Sequence, residues 1–250
     1  MMLWLSCLWI WIAASPVLAD STPMDYQANY QVELNGIQAG ELEQTLTTDE
    51  ASNRQLVTRT QAKGVFAFFK PDIITETSIW QQVDGQIKPQ FYRYQRQGGK
   101  KDKLLTMSFD WSTAIVHIDD REHPWELALQ SDTLDKHVYQ LQLMRDLAAD
   151  RQSLQYTIAD GGKLKQYEIT RQATEVIETP LGHIEAIRLS RDRDPDSERQ
   201  TTLWCAPALG YLPVKLEHIE KDDSRFTAHI RKLDGLPVSA FQTPQPKSTP

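Results

Sequence analysis

Cysteine is nearly missing from this 250-residue chain: there are two, Cys7 and Cys205. Two cysteines cannot make a disulfide-dense scaffold, so burial and backbone pairing must hold the fold. Positive charge is the minority sign, with 27 Lys+Arg against 34 Asp+Glu and a formal charge of −7. That balance, with a sequence pI near 5.4, is wrong for a general nucleic-acid binder, which displaces counterions with a cationic surface. Long apolar runs are confined to the N-terminus, and a mean hydropathy of −0.50 excludes a chain that crosses a membrane repeatedly on helices. Short catalytic signatures are missing too. There is no G-x-S-x-G elbow, Walker loop or G-x-G-x-x-G, and no H-x-H or H-E-x-x-H among six histidines. On motif grounds no cofactor and no metal are expected.

What is present begins with a leader-like segment. Residues 3 to 19 (LWLSCLWIWIAASPVLA) carry no charge and end at Val17-Leu18-Ala19, just before Asp20. That ending matches an export cleavage site, and the run is shorter than the about 20 apolar residues a spanning helix needs. The sequence predicts a signal peptide over 1–19, cleaved after Ala19, and a periplasmic protein with no membrane span after cleavage. A single β-rich domain would occupy 20–236, followed by a proline-rich disordered tail over 237–250. Cys205, between Trp204 and Ala206, reads as a buried small hydrophobe.

Along that domain the apolar residues alternate with polar ones. Tyr26, Ala28, Tyr30, Val32 and Leu34 occupy every second position, as do Leu105, Met107, Phe109 and Trp111. Leu154, Tyr156 and Ile158, then Leu212, Val214 and Leu216, then Phe226, Ala228 and Ile230 repeat the pattern. Period-two patterning puts one face of each strand inward. Asn35-Gly36, Asp84-Gly85, Gly98-Gly99, Gly161-Gly162 and Asp222-Asp223 fall between such runs as hairpin tips. One-sided strands joined by short turns make an antiparallel sheet, and a sheet of about a dozen strands curls toward a barrel or sandwich. One segment has helical spacing instead: Leu134, Val138, Leu141, Met144, Leu147 and Ala148 predict a helix over 133–148, capped by Asp132 with Asp135 in its first turn. The predicted fold is therefore mainly β, a curled antiparallel sheet or barrel-like single domain with one amphipathic helix packed on it as a plug or lid. Pro213, at a strand start, suits an edge position.

Candidate chemistry is sparse. Asp192, Asp194 and Asp196 alternate like a calcium loop, yet Ser197 stands where the turn glycine belongs and Leu203 where the bidentate acid belongs. A self-paired, solvated hairpin tip is the better reading. Two segments could face a partner. In GVFAFFKP, Phe66 and Phe68 would share a strand face toward the core, with Phe69 pointing out as an apolar contact. The hairpin from Tyr92 to Lys103 is cationic on an acidic chain. Its Arg93, Arg96, Lys100, Lys101 and Lys103 could meet phosphates of an anionic envelope component, with Tyr92 and Tyr94 as further contact candidates, or the hairpin could simply resist edge pairing.

The order of motifs is NGIQAGEL, FYRYQ with a GGKK hairpin and FDW, LQLMRDL, ADGGKLKQYEI, ETPLGHIEAIRL, then LWCAPALGYLPVKLE. This order resembles the exported bacterial family named domain of unknown function 3108, over about residues 25 to 233. The resemblance implies antiparallel β-structure in the periplasm of Gram-negative bacteria and carries no catalytic residues with it. Two functional expectations follow. One is a non-enzymatic envelope protein whose apolar concave face holds a lipid-like or amphipathic ligand, or assists envelope assembly. The other is a glycan-acting hydrolase or lyase using Asp119, Glu122 and His123 beside Tyr92 or Tyr94. An outer-membrane barrel is disfavoured, because the C-terminus is proline-rich and lacks a closing aromatic strand.

Overall fold

The computed structural model describes residues 23–50, 53–120, 124–191 and 199–242. The predicted leader, the Asp192 to Glu198 stretch, and Glu122 and His123 lie outside the described residues. The chain opens as an antiparallel meander: β1 (Tyr26–Leu34), β2 (Ile37–Thr48) and β3 (Arg54–Ala62), then a short helix α1 (Phe66–Phe69). The meander continues through β4 (Ile73–Val83), β5 (Gln86–Gln97), β6 (Lys103–Asp110), β7 (Ile115–Asp119) and β8 (Trp125–Ala128). A two-residue strand β9 (Leu134–Asp135) and helix α2 (Tyr139–Ala148) follow. The second meander is β10 (Gln155–Asp160), β11 (Lys163–Thr179), β12 (Gly182–Arg191), β13 (Gln200–Ala206), β14 (Leu212–Ile219) and β15 (Arg225–Asp234). Pairing of β15 with β1 welds the two meanders into one 15-stranded sheet whose edges are β8 and β9.

The turns behave as their residues require. Asn35-Gly36, Asp84-Gly85 and Gly161-Gly162 all hold positive φ at both central positions, the geometry that matches the twist of a two-residue hairpin. Bulges at Asn29/Tyr30, Val32/Glu33, Ile79/Trp80 and Trp204/Cys205 add the curvature that rolls the sheet. Rolled inward, the alternating apolar faces of β1–β4 and β10–β15 close around α2. Leu141, Leu143, Met144 and Leu147 are buried in one cluster with Tyr26, Leu46, Leu56, Trp80, Leu189, Leu203, Leu212 and Ile230. The helix is thus a plug inside the roll, not a lid upon it. Cys205 is buried there too, and burial pushes its thiol well above the ordinary range, as expected of a structural cysteine.

The edges overlap without pairing. Strands β5–β8 pack a second cluster of Tyr92, Leu105, Met107, Phe109, Val116 and Ile118 over Ala159 of β10, with Trp125 and Leu164 against it. Gly162 is needed at this overlap: a Cβ there would run into the Trp125 indole.

Five expectations need correction. Helix α2 starts at Tyr139, not 133, because Leu134 and Asp135 pair in parallel with Ile158 and Ala159 of β10. Asp132 does not cap it; its carboxylate accepts from the Thr157 hydroxyl at 3.1 Å. Pro213 lies in a central strand, but β14 pairs with β15 only from Lys215 onward and Pro213 adjoins the Trp204/Cys205 bulge, so no ladder donor is missed. The packed chain runs past residue 236: Phe241 is buried, and Gln242 exchanges backbone hydrogen bonds with His183 at 2.8 and 2.9 Å. Gly182, at φ +125°, admits this pairing, since a Cβ there would meet the Gln242 carbonyl. Finally, Phe66 and Phe68 do not share a strand face. They sit in α1, where the Lys70 amide closes a turn onto the Phe66 carbonyl at 2.8 Å.

Candidate functional site

Helix α2 fills only one half of the roll. In the other half two cavities adjoin on the inner face. One, of about 330 Å³, lies among Tyr30, Thr58, Glu76, Lys136, His137, Arg191, Thr201 and His218. The other, of about 310 Å³, is walled by Val32, Leu34, Ala39, Ala62, Ile74 and Phe226, with Phe66, Lys70 and Arg96 at its mouth. Thr60 lines both. On β1, Tyr30 faces the first and Val32 and Leu34 the second, and on β4 Glu76 and Ile74 divide likewise. Residues two apart on a strand share a face and are about 6.6 Å apart along it. The cavities therefore follow one another along the same strands, polar-walled toward the plug and apolar toward the open end.

The floor beside the plug is a buried polar relay. The Thr58 hydroxyl contacts His137 Nε2, His137 Nδ1 lies 3.2 Å from Ser78 Oγ, and Ser78 Oγ donates to Asp135 Oδ1 at 2.9 Å. One set of protons makes every link, though Asp135 Oδ2 is left buried without a hydrogen-bond partner: Thr58 donates to Nε2, Nδ1–H donates to Ser78, and Ser78 donates to Asp135 Oδ1. Asp135 Oδ1 also accepts from the His137 and Val138 amides at 2.8 and 2.7 Å, holding the turn into α2. Burial lowers His137 to a pKa of about 4, keeping the ring neutral, and raises Asp135 to about 6 despite those three donors. Ser, His and Asp are the residue types of a nucleophilic triad, but the order is wrong. The carboxylate sits on the serine rather than on the ring, and Ser78 is fully buried. This relay fixes α2 to β3 and β4.

Charge in the cavity is unequal. Lys136 Nζ pairs with Glu76 Oε1 at 3.0 Å, and the Tyr92 hydroxyl donates to the same oxygen at 2.6 Å. Burial alone would raise Glu76; the Lys136 charge and the hydrogen bonds from Tyr92 and Lys136 outweigh it and hold the carboxyl below its ordinary range. Arg191, by contrast, lies 4.4 Å from the centre of the Tyr167 ring and donates to the Thr201 hydroxyl at 3.2 Å. Among the described residues no carboxylate forms an ion pair with it. Among the described residues, the cavity wall thus carries one guanidinium without a carboxylate partner. No group of three His, Cys, Asp or Glu that could hold a metal occurs among the described residues.

The sequence-predicted contact residues scatter. Phe66 is half-buried at the apolar mouth, while Phe68 and Phe69 are 88% and 79% exposed. Tyr92 is fully buried and cannot meet an outside partner; Tyr94 shares its inner face, 4.9 Å from Lys136 Nζ. Arg93 faces outward, Arg96 turns to the apolar mouth 3.7 Å from Asp72, and Lys100, Lys101 and Lys103 stand exposed on the hairpin tip. The proposed glycan-cleaving group is not assembled on the described residues. Asp119 is opposite Thr106 and Thr106 opposite Arg93, the outward row, whereas Tyr92 and Tyr94 face inward. Sequence reading missed the relay and Arg191. The available signal was phase: Glu76 and Ser78 keep step with Ile74 and Trp80 at inward positions of β4, where apolar residues belong.

A family model described as Protein of unknown function (DUF3108) matches residues 26–231. The chain belongs to this family. Comparison with curated proteins finds no match. Among solved structures, the DUF3108 chain is similar to a beta-barrel-like protein of domain of unknown function DUF1849 from Brucella abortus, with 9% identity and a TM-score of 0.55. That similarity covers 85% of this chain and 98% of the other. A Bacteroides fragilis protein with a YmcC-like fold is similar over 84% of this chain and 95% of its own, at 9% identity and a TM-score of 0.38. The first likeness establishes the barrel-like fold of the DUF3108 chain and nothing about its ligand. No helix among the described residues is long and apolar enough to cross a membrane.

Proposed function

We propose that this DUF3108 protein is a non-enzymatic, exported binding protein for an anionic amphiphile, such as a fatty acid or a lipid with an acidic head. The observation that carries the reading is the serial arrangement of the two cavities, polar-walled then apolar, along one inner face. Each is within the usual size of small-molecule sites. The Arg191 guanidinium, with Thr201 and His218, supplies donors for a carboxylate or phosphate. Val32, Leu34, Ile74 and Phe226 then take the chain that follows, toward the open end. Export is supported by the leader-like run at residues 3 to 19.

The test is binding of a dansyl-labelled long-chain fatty acid, followed by fluorescence, with lipid extraction and mass spectrometry of the purified protein alongside. Expected are saturable binding and a blue shift, with Arg191→Ala weakening affinity roughly tenfold, the loss of one charge-assisted hydrogen bond. Ile74→Arg, which puts a charge in the apolar cavity, should abolish it. No saturable binding by the wild type, or equal affinity in both variants, would discard the reading.

A further inference from the structure

Helix α1 and the β5–β6 hairpin are far apart in sequence yet form one tip. Gly98 lies against the Pro71 carbonyl, where a Cβ would be crowded, and Gly99 against the Asp72 carboxylate, where a Cβ would collide, and Arg96 reaches Asp72 at 3.7 Å. The hairpin is thereby laid directly beside the segment that follows α1. On the tip, Val65, Phe68 and Phe69 are exposed, and Ile37 and Phe226, which flank Leu34 on its two neighbouring strands, extend the apolar surface across the open end. Around them stand Lys70, Lys100, Lys101 and Lys103, all exposed and, among the described residues, without a carboxylate partner. Phe66 and Lys70 of this same tip line the apolar cavity.

We infer that this tip docks on a bilayer bearing anionic lipid, with Phe68 and Phe69 entering the interfacial layer and the four lysines meeting headgroup phosphates. Charge supports a membrane as the occupant. The whole chain carries −7, so a repelling body with one cationic end would approach an anionic surface in a single orientation. Size supports it as well. A four-residue helix projecting two phenylalanines offers at most a few hundred Å² of apolar contact, well short of the roughly 800 Å² per partner of a stable protein interface. Apolar side chains entering the interfacial layer and adjacent lysines meeting anionic headgroups are the two kinds of signal that reversible attachment to a charged bilayer combines. The inference rests on the cavity reading only for what such docking would deliver: the mouth that receives an acyl chain would face the membrane that holds it.

The experiment is co-sedimentation of the purified protein, as the cell processes it, with vesicles of phosphatidylcholine alone or mixed with phosphatidylglycerol. Binding to the mixed vesicles, weak or absent on phosphatidylcholine and falling with salt, is expected. Phe68→Ser with Phe69→Ser should weaken it about tenfold per residue, and Lys100→Ala, Lys101→Ala and Lys103→Ala about fivefold each. Circular dichroism should be unchanged in all of these, since every altered side chain is exposed. Arg191→Ala should bind vesicles like the wild type, so loss of the ligand and loss of the membrane are read separately. Wild-type protein that ignores anionic vesicles, or a double phenylalanine variant that sediments as the wild type does, overturns the inference; so does selective retention of a protein partner on the tip without vesicle binding.

Discussion

The two halves of the roll are built from the same strands and differ in what fills them. Along β1, Tyr26 and Ala28 are buried against the plug, while Val32 and Leu34 on the same face line a cavity. Along β4, Trp80 is sealed in while Ile74, on the same face, stands at the cavity wall. Alternation decides which way a side chain points, but it does not decide whether anything meets it there. That depends on the reach of α2, whose ten residues span about 15 Å of a roll whose β1 alone is about 30 Å long. One half is filled by the helix down to a cavity of about 280 Å³ at its end beside Tyr26, Met144 and Ala148, and the other is the same kind of surface with no helix in it.

The largest effect should come from the plugged half. Leu147→Ala removes a fully buried side chain from the helix core and should lower unfolding stability by about 2–5 kcal/mol in a urea titration. Next comes the relay at the boundary between the halves. Asp135 titrates at about 6 in the fold and near 3.9 unfolded, so the folded state holds an extra proton between those values and stability falls as pH rises through them. His137 titrates at about 4 in the fold and near 6.5 unfolded, so the folded state holds one proton fewer and stability rises over nearly the same range. The two contributions oppose, and between pH 4 and 6 they should nearly cancel in the wild type. His137→Gln should expose the acid's share, a loss of about 3 kcal/mol on going from pH 4 to 6, and Asp135→Asn the histidine's share, a gain of about 3 kcal/mol up to pH 6.5. Parallel pH profiles for both variants would show that the two groups are not the source. The smallest effect belongs to the open half: Ile74→Ala, at a wall with empty space beside it, should cost under about 1 kcal/mol. If it cost as much as Leu147→Ala, the contrast between the halves would collapse.

Much of this was legible in the residues. Every second position of β1, β6, β14 and β15 announces an inward face, and Asn35-Gly36 and Gly161-Gly162 announce their hairpins, because both depend on neighbours within a few residues. The β1–β15 pairing is not announced, since Ala28 and Leu233 meet only after the whole chain has turned round. The beginning of α2 was misread for a related reason: Leu134 keeps helical step with Val138 and Leu141, but its partner Ile158 lies in a strand that local spacing does not see. The candidate site was the least legible. Thr58, Ser78, Asp135 and His137 come from β3, β4, β9 and the turn before α2, and no short window holds them. Phe68 and Phe69 were visible as a motif, but that they share a tip with Lys100 and Lys101 depends on two glycines packed against Pro71 and Asp72.

A barrel sewn shut by hydrogen bonds has a circumference set by its strand count and stagger. Here the two borders, a four-residue and a two-residue strand, merely lap over each other through side chains such as Trp125 and Ala159. Because Asp135 of β9 is held by Ser78 of β4 and the Trp125 indole sits against Gly162, packed side chains rather than a closing ladder fix the girth of the chamber.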